Sequence, residues 1–204
     1  MQDADLCAAV AARFYAVNGT HPMTAMDDAY ATERYIALET LAGGASLRAS
    51  ELRRLMLANR LPLPSYIRSD GTQMVARDLL ELPRRAGGYD QLPDWFARQF
   101  ASSGDAIRQW DGYLSGQYVC LRDVAPETMQ RKDELVAAIT AAVAEPAPAN
   151  TDWVESLHRL VDELDRLEPP FTAYDRLRFA GSVSRDTCID AVRARFPRRG
   201  SDTT

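Results

Sequence analysis

The sequence predicts a mainly α-helical protein: a winged helix-turn-helix-like N-terminal part, residues 1–90, packed on a C-terminal helical bundle, residues 91–204, with one short β-hairpin. Three observations lead there. Apolar residues recur at helical spacing through most of the chain. The period changes once, where Pro64–Arg68 and Thr72–Val75 flank Ser69-Asp70-Gly71, and Asp-Gly between short β-prone runs signals a hairpin. Helix, glycine-containing turn, helix and hairpin then follow in the order of a winged helix-turn-helix.

Leu6, Val10, Phe14 and Val17 define a first amphipathic helix ending near Asn18-Gly19. A second is expected over Ala29–Leu41, stopped by Gly43-Gly44. In a third, capped by Ser50, Leu52, Leu55 and Met56 face inward and Arg53 and Arg54 outward. Asn59, Pro62 and Pro64 prevent its continuation. After the hairpin, a short helix breaks at Arg85–Gly88, and Trp95, Phe96 and Phe100 share a face of the next. The stretch Asp105–Arg122 places Ile107, Trp110, Tyr113 and Leu114 on one helical side and stops at Gly116. Pro126 and Glu127 suit a helix's first turn, and Met129, Val136, Ile139 and Val143 form that helix's stripe. Trp153, Leu157, Leu160, Val161, Leu164 and Leu167 form the clearest stripe of all. Joined by the short linker Glu145–Asn150, these two helices should pack antiparallel. An irregular segment, Phe171–Val183, precedes a last helix capped by Ser184, and a polar tail begins at Pro197.

Composition sets limits. A hydrophobic fraction of 46% and a charged fraction of 26% are those of a folded protein. A net charge of −5 argues against a surface that coats nucleic acid or anionic membrane as a whole, while a local basic face is allowed. No apolar run approaches the roughly 20 residues of a membrane span, and acidic residues stand near the start where a signal peptide carries positive charge, so a cytoplasmic protein is expected. Cys7, Cys120 and Cys188 are odd in number and far apart, which is neither a disulfide framework nor a zinc pattern. His21 and His158 stand alone, so no metal is expected, and no glycine-rich nucleotide-binding loop is present, so no cofactor is expected either.

Three places carry candidate chemistry. Around the helix-turn-helix, Arg48, Arg53, Arg54, Arg60, Arg68 and Arg77 outnumber the nearby acids Glu51, Asp70 and Asp78. In a DNA-binding winged helix, the second helix enters the major groove and the wing touches phosphate. Lone lysine Lys132 and the acidic whole favour instead an ordinary solvated face, or one used for protein contact. Cys120 lies near Arg122, whose charge would favour a thiolate, yet with no histidine close by it reads as a core cysteine. Finally, Tyr174, Asp175 and Arg176, with Arg185 and Asp186, form an aromatic and charged loop. Docked beside Trp110 and Tyr113, it would combine apolar wall with a few charged groups, as small-molecule pockets do. The alternative is a latch closed by aspartate–arginine pairs.

Leu61–Tyr66, Asp70-Gly71, Trp110 with Tyr113–Gly116, Cys120–Arg122, Val161–Asp165, Pro170-Phe171, Tyr174–Arg176 and Ser184–Asp186 together resemble an uncharacterised bacterial family. That family carries a domain-of-unknown-function label and is associated with natural-product biosynthesis. The resemblance runs from about Tyr35 to Pro197 and implies a pathway context without catalytic residues. Ala125 stands before Pro126 where the family pattern has a capping threonine. Separately, residues 35–78 are similar to the winged helix of MerR-type regulators.

The expectation is therefore an accessory protein or enzyme of specialised metabolism. Its partner would be a small molecule or peptide held by the C-terminal half through Trp110, Tyr113, Tyr174, Asp175, Arg176, Arg185 and Asp186. The rival is a DNA-binding regulator reading DNA through Arg48, Arg53, Arg54, Arg60 and Arg68, and a protein-binding scaffold is a third option. Oligomeric state is left open.

Overall fold

Leu6, Val10 and Phe14 recur four residues apart and have no exposed surface, so the first helix, α1 (Asp3–Asn18), forms by burying one stripe. The structure, a computed structural model, describes residues 2–180 and 183–198. Gly181-Ser182 and residues 199–204 of the expected polar tail lie outside the described residues.

The protein is mainly helical, with a small antiparallel sheet. Thr24 caps α2 (Ala25–Arg34) together with Asp27, whose carboxylate accepts the Thr24 amide at 2.9 Å. The second helix was expected to run on to Leu41. Instead Tyr35 is extended, and Ile36 and Ala37 form a strand, β1 (Ile36–Ala37), opposite Val75 and Met74. The reason is tertiary: pairing with a neighbouring strand satisfies backbone that the helix would otherwise use. α3 (Leu38–Gly44), a turn and α4 (Ala49–Leu57) follow. The expected hairpin forms β2 (Tyr66–Ile67) and β3 (Gln73–Val75), with Gly71 at positive φ in its turn. The sheet is three-stranded, in the order β1-β3-β2, so the hairpin has an extra partner. Val10, Phe14, Leu38, Leu52, Met56, Leu61, Ile67 and Val75 close the core beneath it.

Arg53 reverses its expected orientation. It is 2% exposed, and its guanidinium meets Gln73 Oε1 and Asp3 Oδ1, each at 2.9 Å, and Glu39. The charge enters because three acceptors from α1, α3 and β3 converge on it.

α5 (Glu81–Ala86) and α6 (Leu92–Ala97) lead to α7 (Ser103–Leu114), capped by Ser102. Leu82 and Ala86, before the expected division at residue 90, pack in one cluster with Leu92, Phe96, Tyr113 and Leu121 from beyond it. On α7 the buried stripe is Ala106, Gln109 and Tyr113, so Ile107, expected inside, is 64% exposed. A 3-10 turn (Tyr118–Cys120) precedes α8 (Pro126–Ala144). The cap that Ala125 cannot supply is replaced from inside the helix, where Thr128 Oγ1 accepts the Ala125 amide at 3.1 Å.

Asn150 caps α9 (Thr151–Leu167) through the amides of Asp152 and Trp153. Arg131, early in α8, pairs with Glu163, late in α9, so the two helices run antiparallel as expected. Leu135, Ile139, Leu157, Val161 and Leu164 join Ile189, Val192 and Phe196 in the second core. The segment from Phe171, expected irregular, contains α10 (Ala173–Arg178). Thr172 and Asp175 make a reciprocal cap, a T-x-x-D signal present in the sequence. After Ser184 the chain makes a π-helical turn (Arg185–Asp190) before α11 (Ala191–Arg195). Among the described residues no helix is long and apolar enough to cross a membrane.

Candidate functional site

The N-terminal sheet and the α7–α8 connection meet across a few short backbone contacts, and a hollow with largely apolar walls lies beside them. The Leu63 amide donates to the Leu114 carbonyl at 2.9 Å. Directly after α7, Gly116 takes φ +71°, and a Cβ there would stand 2.6 Å from the Pro64 oxygen and 2.7 Å from that of Leu63. Only glycine allows this approach. Arg178 of α10 completes the joint. Its guanidinium, buried between the rings of Phe14 and Phe179, donates to Asn18 Oδ1 (2.9 Å), the Ser65 carbonyl (2.8 Å) and the Gly116 carbonyl (2.9 Å). Burial pulls its pKa below the ordinary arginine value, against the opposing influence of Tyr66, Tyr174 and Asp175.

Beside this joint lies a cavity of about 380 Å³, within the size range of small-molecule sites. Its apolar lining comes from Tyr35, Leu63, Val75, Leu79 and Leu82 in the N-terminal part and from Tyr113, Tyr118, Leu121, Val124 and Pro169 beyond it. Polar groups enter as Arg34, Arg77, Arg122, Asp78 and Asp123. The Tyr113 hydroxyl is buried with no hydrogen-bond partner among the described residues. Burial raises the Tyr113 pKa, and the charge of Asp78 adds to the effect. Asp78 is itself held above the usual carboxylate range, first by the protein crowding it and then by the charges of Asp123 and Glu81.

Of the seven residues expected to hold a ligand, only Tyr113 lines this cavity. Trp110 packs on Phe96 and Tyr113 and faces a shallow groove shared with Ile107. Tyr174 sits in a different cluster, with Tyr66, Tyr35 and Val119. Asp175 accepts the Tyr66 hydroxyl at 2.8 Å, and burial raises its pKa. Arg176 grips Asp186 with two nitrogens, at 2.8 and 2.7 Å. Arg185 pairs with Asp165 and also donates to the Pro169 carbonyl at 3.1 Å. The loop is thus docked, with Arg176 and Arg185 paired to Asp186 and Asp165.

Of the five arginines considered for DNA, four are also occupied. Arg48 pairs with Glu51 (2.8 Å), Arg60 with Asp90 (3.7 Å), Arg68 with Asp28 (3.8 Å) and Asp70 (3.4 Å), and Arg53 is buried. Arg54 is exposed and has no carboxylate partner among the described residues. Cys120 is half-buried, and the cation beside it is Lys132 of α8, which pairs with the fully buried Glu168 at 2.9 Å. Burial works against the Lys132 charge, but Cys120 and Glu168 together raise its pKa. Arg122 points elsewhere, donating to the Arg166 carbonyl at 3.1 Å. Among the described residues no three histidines, cysteines or carboxylates gather as a metal site would require.

The residues missed by sequence reasoning, chiefly Arg34, Tyr35, Leu79 and Val124, come from segments far apart in the chain, and no local pattern marks them. Arg77 and Arg122 had been noticed, for DNA and for Cys120 respectively.

No curated protein and no solved structure matches the chain. Residues 92–197, just over half of it and including the α7–α8 wall of the cavity, match a family of unknown function, DUF6058. The chain belongs to that family.

Proposed function

We propose that this protein binds a small molecule in the cavity between its N-terminal sheet and the α7–α8 connection, as an accessory protein or enzyme of specialised metabolism. The observation that carries the reading is the cavity itself: about 380 Å³, mostly apolar in its lining, with a buried hydroxyl that has no partner among the described residues and a few charged groups at hand. The pathway context comes from the sequence resemblance. The site differs from the one expected in the C-terminal half, because more than half of its lining comes from the N-terminal part, Val75–Leu82 among it.

The test is to fill the space. Leu79→Trp places a large ring in the cavity from a residue that is 6% exposed. A screen of small molecules by thermal shift should give compounds that raise the melting temperature of the parent and leave the variant unmoved. Equal stabilisation of parent and variant would contradict the reading.

The DNA-binding regulator is the weaker proposal, since Arg48, Arg53, Arg60 and Arg68 already face carboxylates. We retain the winged helix-turn-helix as a description of the element order α3, turn, α4, hairpin. That order is equally suited to protein contact.

A further inference from the structure

We infer that the ligand of this cavity is an amphipathic anion, with an apolar body between Tyr35, Leu79 and Val124 and an anionic head met by Arg34, Arg77 and Arg122. The inference rests on the cavity being the binding site, and it adds the chemical class.

Its basis is how the three guanidinium groups are held. Just over half of the described arginines find a carboxylate within 4 Å, as Arg85 does with Glu127 and Arg193 with Asp162 and Asp165. Arg34, Arg77 and Arg122 find none among the described residues, and all three line one cavity. Other arginines without a carboxylate, such as Arg54 and Arg98, do not line it.

Two of the three are nevertheless fixed in place. Arg77 donates to the carbonyls of Glu33 (3.1 Å) and Arg34 (3.3 Å), at the C-terminal end of α2. Arg122 donates through Nε to the carbonyl of Arg166, at the C-terminal end of α9, leaving both terminal nitrogens of its fork unassigned. A helix C-terminus favours a cation, so each site orients its guanidinium without neutralising it. Arg34 lies over the Tyr30 ring at 5.1 Å, and its Nε is buried without a hydrogen-bond partner among the described residues. A buried donor left unpaired costs free energy that a ligand oxygen would recover.

The acids do not cancel this. Asp78 and Asp123 face the same cavity, two against three arginines, and neither lies within ion-pairing distance of them. A guanidinium fork binds a carboxylate or phosphate through two parallel hydrogen bonds. With apolar walls behind the fork, the complementary molecule has one anionic end and one oily end. Tyr113 offers a further donor for a polar atom along its body.

The experiment uses one eight-carbon tail with three heads: sodium octanoate, octylammonium chloride and octan-1-ol, titrated into the full chain by calorimetry. Octanoate should bind, with affinity falling as sodium chloride rises. Octanol should bind at least tenfold more weakly and octylammonium not detectably. Arg122→Gln should weaken octanoate about tenfold and leave octanol unchanged, and Arg77→Gln should act likewise if it stays folded. Leu79→Trp should remove both. If octanol binds as well as octanoate and Leu79→Trp abolishes both, the cavity is the site and the anion inference is overturned. If octanoate binds but neither the arginine variants nor Leu79→Trp changes it, the inference is overturned. If none of the three binds while the broader screen yields a neutral or cationic ligand lost in Leu79→Trp, the inference again fails and the cavity reading stands.

Discussion

At the scale of single residues, the joint beside the cavity depends on groups whose roles cannot be read from their neighbours in sequence. Arg178 lies in the segment expected to be irregular, yet its partners are 160, 113 and 62 residues away. Nothing local marks a residue whose acceptors come from three separate segments. Gly116 was legible as a helix stop, though the reason it must be glycine, the carbonyls of Leu63 and Pro64, was not. Arg178→Ala removes three charge-assisted hydrogen bonds and leaves buried carbonyls unpaired, at a cost of about 3 kcal/mol or more. For a chain of this size the melting temperature should fall by roughly 10 °C. Arg178→Lys should be nearly as harmful, because a single ammonium cannot span the same three acceptors. A melting temperature within about 1 °C of the parent in both variants would show that this network does not pin the joint.

At the scale of elements, most of the helices were legible because each buries a stripe at helical spacing, and α9 most clearly of all. The failures share a cause. β1 exists only because β3 is beside it, and Ile107 points outward because α7 is rotated to bury Gln109, whose amide bonds Asp133 at 2.7 Å. A third error was avoidable, since Thr172-x-x-Asp175 is a helix-start signal and α10 begins there. Element α4 bears on the DNA reading. With Arg53 buried against Asp3 and Glu39, one of the two cations proposed to enter the groove is structural. Duplex binding in low salt, measured by fluorescence anisotropy, should therefore be undetectable at micromolar protein. Arg54→Ala should leave the fold intact, whereas Arg53→Ala should lower the melting temperature with or without DNA. Tight, steeply salt-dependent binding lost in Arg54→Ala would reinstate the regulator.

At the scale of the whole molecule, composition and periodicity were enough for a mainly helical protein with a hairpin, but not for where its parts meet. The expected site paired the Trp110 helix with the loop from Phe171, two aromatic-rich segments that the structure puts into different clusters, around Phe96 and around Tyr66. Aromatic content predicts burial without saying against what. The cavity arises instead where β3 and the following residues face Tyr113–Val124, a pairing that only the folded chain reveals. The account stands on that location, and photoaffinity labelling reads it directly. An octanoate analogue bearing an alkyl diazirine would be irradiated with the full chain and the labelled peptides sequenced by mass spectrometry. The account predicts label in the Val75–Leu82 and Leu121–Val124 peptides, suppressed by excess octanoate and absent in Leu79→Trp. Competed label confined to the Ile107–Trp110 groove, or to the Phe171–Arg185 segment, would contradict it.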